Sequence, residues 1–184
     1  DEASRTSNKI RSLEELIPLS IDMLNELSQK GPSLIGSSTG FKALDEKTQG
    51  LQKGDLIVVA GRPSMGKTSF AMNIAENVLL DDDSAGAVLI FSLEMPGESL
   101  TTRMLSGMCK LDQQNVRSGM LKDDELRILL QQSEKLKNLP LWIDDSSILS
   151  PMELRAKARR LARTEENGLS LIVVDYLQLM QLPL

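Results

Sequence analysis

Two kinds of hydrophobic pattern alternate along the chain. Short apolar runs with the length of buried strands occur at four places, namely Leu56–Ala60, Ala87–Ser92, Leu141–Ile143 and Leu169–Val174. Apolar residues recur at helical spacing between these runs, over Ser69–Leu80, Glu98–Leu111, Gln113–Ser118, Asp123–Lys137 and from Pro151 to about Glu165. Strands that alternate with helices, and that are apolar throughout, predict an α/β fold with a mostly parallel sheet covered on both faces.

A separate amphipathic helix is predicted ahead of this alternation, over residues 12–29. Ser12 and Glu15 have the spacing of a capping box, and leucine and isoleucine recur after them at helical spacing. Pro18 should kink or shorten the helix because it removes one backbone hydrogen bond. The apolar stripe could pack on its own domain or on a neighbouring chain, and the pattern leaves both open. We expect a linker region over residues 1–31 and one domain over residues 32–184.

Composition narrows the classes of protein to which the chain could belong. A formal net charge of −5 argues against a protein that coats nucleic acid with a basic surface. Three Phe, one Trp and one Tyr are too few for a base-stacking platform. One cysteine and no histidine leave no internal disulfide and none of the usual zinc sites. The apolar runs fall far short of a membrane span, so no membrane association and a reducing, cytoplasmic setting are expected.

The motif with the clearest chemistry follows the first predicted strand. Gly61 to Thr68 has the spacing of a P-loop, G-x-x-x-x-G-K-[ST], in which glycines let successive backbone N–H groups converge on a phosphate. Lys67 would place its charge on the outer phosphates of a bound polyphosphate, and the Thr68 hydroxyl would hold Mg²⁺. The expected nucleotide-binding residues are Gly61, Arg62, Pro63, Ser64, Met65, Gly66, Lys67, Thr68 and Ser69.

Two acidic residues end later strands, where ligands of parallel sheets bind. Asp175 follows four apolar residues about 100 positions after the P-loop, the pattern of a Walker B carboxylate that holds Mg²⁺ through its water shell. Glu94 follows the second strand and could orient and deprotonate the water that attacks the γ-phosphate. A structural ion pair is the alternative role for Glu94.

The last predicted helix carries five cations within nine residues: Arg155, Lys157, Arg159, Arg160 and Arg163. At 100° per residue, Arg155, Arg159 and Arg163 form a stripe opposite an apolar face that should pack on the sheet. The stripe is either a solvated face or a site that tracks nucleic-acid phosphates.

Six segments together resemble the C-terminal motor domain of DnaB-type bacterial replicative helicases. They are TGFKALDEKTQGL, GRPSMGKTSFAMNIAENV, VLIFSLEM, WIDDSS, ARRLAR and LIVVDYLQLM, and they span about Thr39 to Met180. The resemblance implies a RecA-like fold and ATP hydrolysis coupled to 5′→3′ movement of a homohexameric ring on single-stranded DNA at the replication fork, with primase and a helicase loader as partners. It also implies that Lys67 and Thr68 bind nucleotide and Mg²⁺, that Glu94 is catalytic and Asp175 the Walker B residue, and that Arg159 and Arg160 lie near DNA.

The resemblance also sets expectations about what the chain lacks. The family pattern continues past Leu184 with a further strand, DNA-contacting loops and an arginine finger, so we expect a RecA-like domain incomplete at its C-terminus. Such a piece should bind nucleotide, with hydrolysis and unwinding impaired. Other RecA-like ATPases, such as a recombinase or a clock-type ATPase, remain an alternative, as does a nucleotide-binding assembly module without catalysis.

Overall fold

The computed structural model describes residues 10–30, 34–81 and 86–181. The chain separates into two units, residues 1–34 and residues 35–184. The first unit contains helix α1, Leu13–Lys30. The second contains α2 (Lys42–Thr48), α3 (Lys67–Leu80), β1 (Ala87–Ser92), α4 (Gly97–Cys109), α5 (Gln113–Ser118), α6 (Asp123–Lys137), β2 (Leu141–Asp144), α7 (Pro151–Thr164), β3 (Leu169–Asp175) and a short 3₁₀ helix, Leu177–Leu179.

Helix α1 begins where its sequence predicts. The Glu15 N–H donates to Ser12 Oγ at 3.3 Å, so Ser12 caps the first turn. The helix continues on both sides of Pro18, so Pro18 does not shorten it, and a kink at that residue stays a prediction. A proline inside a helix removes a single backbone bond, and the remaining bonds keep the two sides in register.

Three strands form a parallel sheet in the order β2-β1-β3. All six residues of the central strand β1 are buried. Phe91 lies opposite Asp144 of β2, and Ser92 opposite Asp175 of β3, so the polar ends of the strands meet at one edge of the sheet. The predicted α/β class with a parallel sheet is confirmed, as are the three strands and the helices that flank them.

The first predicted strand, the one before the P-loop, is wrong. Leu56–Ala60 lies outside every strand that the described residues form, and Leu56, Ile57, Val58 and Val59 are between 44% and 87% exposed. A strand needs a neighbouring edge for its backbone hydrogen bonds, and none of the three strands is paired with this segment. Apolar β-forming residues alone therefore did not produce a strand here.

The two faces of the sheet carry separate apolar cores, because side chains alternate along β1. Val88 and Ile90 pack with residues of α3 and α4, among them Ala75, Val78 and Leu100. Leu89 and Phe91 pack on the other face with Leu149 and Ala158 of the α7 region. This arrangement fixes α3 and α7 on opposite faces and brings their ends to the polar edge of the sheet. No helix in the described part of the chain is long and apolar enough to cross a membrane.

Candidate nucleotide-binding and catalytic site

The loop before α3 has the backbone of a phosphate cradle. Gly66, the residue just before the helix, has φ +85°, and Ser64 has φ +63°. A Cβ at Gly66 would meet nothing within 4 Å, so glycine is needed there for its backbone conformation and not for space. The first N–H groups of α3 have no partner within the helix, and they point out of its N-terminus together with the positive end of the helix dipole.

Lys67 and Thr68 occupy the first turn of α3. The Lys67 ammonium donates to the carbonyl oxygen of Gly61 at 3.0 Å, so the side chain folds back over the loop. A Cβ at Gly61 would come within 3.4 Å of Lys67 Cγ, which shows how closely the lysine stem follows the loop backbone. The loop residues from Gly61 to Gly66 are exposed, and a polyphosphate can reach them from solvent.

One contact joins the two nucleotide motifs across the sequence. Thr68 Oγ1 donates to Asp175 Oδ2 at 2.8 Å, although the residues are 107 positions apart. Asp175 ends β3 and is only 8% exposed. The structure thus brings together the hydroxyl and the carboxylate that the sequence assigned to Mg²⁺. Both are hard oxygen ligands, the type that Mg²⁺ prefers.

Glu94 lies in the loop between β1 and α4, and its side chain is exposed. The Leu93 N–H donates to the carbonyl oxygen of Asp175 at 2.8 Å, which places this loop beside the Walker B residue. The alternative role in an ion pair finds no support among the described residues, where the ion pairs are Lys42–Glu46, Lys137–Glu134 and Lys157–Asp144.

Two carboxylates at the end of β2 have different partners. Asp144 Oδ2 lies 2.5 Å from the Lys157 ammonium. Burial would raise the pKa of Asp144, but hydrogen bonds from Lys157 and Ser146 outweigh it and hold that pKa below its usual value. Asp145 accepts instead from the Gly97 N–H at the start of α4, at 2.9 Å.

Arg103 is a residue that the sequence analysis missed. Its Nη1 donates to Ser69 Oγ at 3.5 Å, and its buried Nε has no hydrogen-bond partner in the described part of the chain. Together with Asn73 and Glu76 it lines a cavity of about 230 Å³ between α3 and α4. Burial raises the pKa of Glu76. A single arginine on an amphipathic helix carries no sequence signal, so only the packing of α4 against α3 reveals that it lies beside the P-loop helix.

The cations of α7 divide into two groups. Arg155, Arg159, Arg160 and Arg163 are exposed, whereas Lys157 is half-buried and paired with Asp144. The apolar face packs as predicted, with Ala158 buried and Leu154 and Leu161 against the core of that face. Ser150 and Glu153 form a capping box at the start of the helix. The cationic stripe thus belongs to a well-defined helix and excludes Lys157.

Comparison with known families gives a result in line with this geometry. The family model of the DnaB-like helicase C-terminal domain matches residues 36–183, which include the P-loop, Glu94 and Asp175. The chain belongs to the DnaB-like helicase family. Membership sets aside the recombinase and clock-type ATPase alternatives and confirms the resemblance noted from the sequence.

Curated relatives in the DnaB family cover nearly all of the chain. It is 45% identical to the replicative DNA helicase DnaB of Buchnera aphidicola subsp. Baizongia pistaciae over 175 residues. This aligned region covers 94% of this chain and 37% of the relative. It is 48% identical over 187 residues to the replicative DNA helicase DnaB of Pasteurella multocida, or 99% of this chain and 39% of the relative. The chain therefore spans less than half the length of these relatives.

Solved structures of DnaB-like proteins share the fold. The ATPase domain of G40P superposes with a TM-score of 0.82 at 24% identity, over 94% of this chain and 60% of that one. A DnaB-like replicative helicase, whose structure was determined with attention to its interactions with primase, superposes with a TM-score of 0.80 at 26% identity, over 98% of this chain and 42% of that one. These superpositions confirm the RecA-like architecture.

Proposed function

We propose that this chain is the ATP-hydrolysing motor part of a replicative DNA helicase. The observation that carries the proposal is the 2.8 Å hydrogen bond between Thr68 Oγ1 and Asp175 Oδ2, which joins the P-loop helix to the end of β3. A hydroxyl on the phosphate-binding helix and a carboxylate on the neighbouring strand are the pair that P-loop enzymes use for Mg²⁺. Family membership and the names of the curated relatives support the helicase assignment.

The residues present fit Mg·ATP. The exposed loop Gly61–Gly66 and the N-terminus of α3 would bind the phosphates, and Lys67 would move from the Gly61 carbonyl to a phosphate oxygen. Thr68 and Asp175 would hold Mg²⁺, directly and through water respectively. Most of the remaining Mg²⁺ ligands would be water and phosphate oxygens. Bound Mg²⁺ neutralises charge that develops on the phosphates.

Glu94 is the residue to which we assign the activation of water. It lies two residues after the end of β1 with its side chain exposed, and its loop is tied to Asp175 through the Leu93 N–H. A carboxylate in this position can orient a water molecule and accept its proton while the bond to the γ-phosphate breaks. The chain contains no histidine, so a carboxylate is the natural base.

The proposal extends to the assembly in which the motor acts. We place the chain in a homohexameric ring that moves 5′→3′ on single-stranded DNA in the cytoplasm, at the replication fork, with Arg159, Arg160 and Arg163 near the DNA. Primase and a helicase loader are the proposed protein partners; primase is supported by a DnaB-like structural relative described with it. The domain boundaries at residues 31 and 32, and the assignment of α1 to a linker, are part of the same proposal.

Nucleotide binding is tested with Lys67→Ala and Asp175→Asn. Removing the Lys67 charge should weaken Mg·ATP binding by about 10- to 100-fold, the range for a charge-assisted hydrogen bond. Asp175→Asn should reduce the gain in affinity that Mg²⁺ provides and leave Mg²⁺-free binding less affected. Titration with a fluorescent ATP analogue measures the affinity of each variant with and without Mg²⁺. Lys110→Ala, which removes a lysine outside the proposed site, is the control. Unchanged binding by Lys67→Ala would exclude the proposed phosphate site.

Catalysis is tested separately with Glu94→Gln. The substitution keeps the size of the side chain and removes the base, so the single-turnover rate of ATP hydrolysis should fall by about 10²- to 10⁴-fold while ATP binding is retained. A non-catalytic assembly module predicts instead that Glu94→Gln changes nothing measurable. The assay uses the complete polypeptide that carries this chain, on single-stranded DNA.

A further inference from the structure

The loop that carries Glu94 is held on its strand side by two sets of contacts. Ser92 Oγ donates to the carbonyl oxygen of Met95 at 2.6 Å and accepts from the Met95 N–H at 3.3 Å. The Leu93 N–H donates to the carbonyl oxygen of Asp175 at 2.8 Å. These bonds tie Leu93 and Met95, the residues on either side of Glu94, to β3 and β1 respectively. The last part of the loop, Pro96 and Gly97, is fixed by other groups.

The far end of the loop is the N-terminus of α4, which has no cap of its own. Pro96 occupies the N-cap position, and a proline side chain has no oxygen to accept a bond from the first N–H groups. The Gly97 N–H donates instead to Asp145 Oδ2 at 2.9 Å, 48 residues further along the chain. A carboxylate at this end of a helix is also favoured by the helix dipole.

Asp145 is itself held in place by its neighbour. Asp144 pairs with Lys157 of α7 at 2.5 Å, and the Ser146 N–H donates to Asp144 Oδ1 at 3.1 Å. The turn after β2 is therefore fixed to α7 on one side, and through Asp145 it fixes the start of α4 on the other. A Cβ placed on Gly97 would lie 3.5 Å from Asp145 Oδ2, which is ordinary van der Waals contact.

We propose that Asp145 is a positioning residue for Glu94. It fixes the end of the loop three residues after Glu94, so that the loop is held at both ends and the Glu94 carboxylate has one position relative to the P-loop. Asp145 does not contact the nucleotide in this role; it acts through the backbone of Gly97. The inference depends on the catalytic role proposed above for Glu94.

The test compares Asp145→Ala with Asp145→Asn in the complete polypeptide. Asp145→Ala removes the acceptor, and because misplacement by about 1 Å can cost about 100-fold in rate, we expect single-turnover hydrolysis to slow by about 10-fold or more. The dissociation constant for ATP should change by less than about threefold, because Asp145 does not bind the phosphates. Asp145→Asn keeps an oxygen acceptor, as asparagine is also a good cap, and should restore most of the rate. Amide hydrogen exchange at Gly97 should quicken only in Asp145→Ala.

The matched control is Asp112→Ala. Asp112 caps α5 by accepting from the N–H groups of Gln114 and Asn115, which is the same kind of interaction away from the Glu94 loop. We expect Asp112→Ala to slow hydrolysis by less than about twofold, because the loss of a helix cap away from the Glu94 loop should have little effect on the chemistry. Equal effects of Asp145→Ala and Asp112→Ala, or equal losses of rate and of ATP affinity, would overturn the proposal.

A double variant separates this inference from the assignment of Glu94. If Asp145 acts only through Glu94, adding Asp145→Ala to Glu94→Gln should cause no further loss of rate. A further loss in the double variant overturns the positioning role while leaving Glu94 catalytic. Normal hydrolysis by Glu94→Gln alone overturns both.

Discussion

Asp45 shows how a single residue can organise the approach to the P-loop. It is 6% exposed and accepts from Ser38 Oγ at 2.8 Å, from Thr39 Oγ1 at 2.7 Å and from the Thr39 N–H. Asn77 of α3 donates to the carbonyl oxygen of Thr39 at 2.8 Å, so the same segment is tied to the phosphate-binding helix. The segment from Thr39 to Asp45 is therefore a hydrogen-bonded turn that supports α3.

We expect Asp45→Ala to lower the free energy of unfolding by about 2–4 kcal/mol, because it leaves the buried N–H and hydroxyl of Thr39 without an acceptor. Chemical denaturation at pH 7 measures the change. Glu46→Ala is the control, since Glu46 lies on the same short helix with an exposed side chain 3.9 Å from Lys42. A loss no larger than that of the control would contradict the role given to Asp45.

The pKa of Asp45 adds a dependence on pH. Burial would raise this pKa, but the hydrogen bonds from Thr39 and Ser38 outweigh it and lower the pKa below the usual value. A lowered pKa in the folded state means that the unfolded state binds more protons in the window between the two pKa values. The contribution of Asp45 is therefore complete above about pH 4 and lost as the pH falls through the folded-state value. The stability difference between the wild type and Asp45→Asn should shrink over that range, and a constant difference would contradict this explanation.

At the scale of elements, α7 combines two functions in one helix. Its apolar face covers Leu89 and Phe91 of β1, and Lys157 anchors the turn after β2. The remaining cations face solvent and are available for phosphates. The same helix can thus support the catalytic edge of the sheet and carry a nucleic-acid surface.

We expect the triple variant Arg159→Ala, Arg160→Ala, Arg163→Ala to weaken binding to single-stranded DNA and to flatten its salt dependence. Each lost phosphate contact should reduce the slope of log K against log salt by about 0.7, or about 2 for the three arginines. Fluorescence anisotropy over a range of salt concentrations measures both quantities. Arg127→Ala on α6 removes an exposed cation elsewhere and should leave the slope unchanged. A triple variant with the wild-type slope would show that these three arginines are only solvated.

At the scale of the whole molecule, α1 bears on assembly. Leu13, Ile17, Ile21 and Leu24 recur at helical spacing and are between 52% and 74% exposed. Burial of such a stripe against a second copy would stabilise an oligomer by the hydrophobic effect.

We expect the double variant Ile17→Asp, Leu24→Asp to shift the complete polypeptide from the proposed hexamer to smaller species. Two carboxylates in the apolar stripe would have to be desolvated on docking, which opposes association. Sedimentation velocity measures the distribution. Asp22→Lys, which changes charge on the opposite side of α1, should leave the hexamer intact. A hexamer that survives the double variant would exclude α1 as an assembly contact.

The sequence by itself determined the features that depend on residues close together along the chain. The P-loop spacing, the Ser12 cap of α1, and the apolar periodicity of α3, α6 and α7 each depend on residues within a few positions of one another. These predictions agree with the structure to within one or two residues. The sequence also placed Asp175 at the end of a strand, because four apolar residues before an acid at this distance from a P-loop form a recognisable pattern.

Tertiary structure decided what depends on distant partners. Leu56–Ala60 has the composition of a strand, yet the described residues supply no edge for it to pair with, and pairing cannot be read from composition. Asp145 reaches Gly97 across 48 positions, Arg103 reaches Ser69 across 34, and Lys157 of α7 pairs with Asp144 at the end of β2. Each of these roles arises only when packing brings separate elements together, since hydrogen bonds and ion pairs act over a few ångströms in space whatever the separation in sequence.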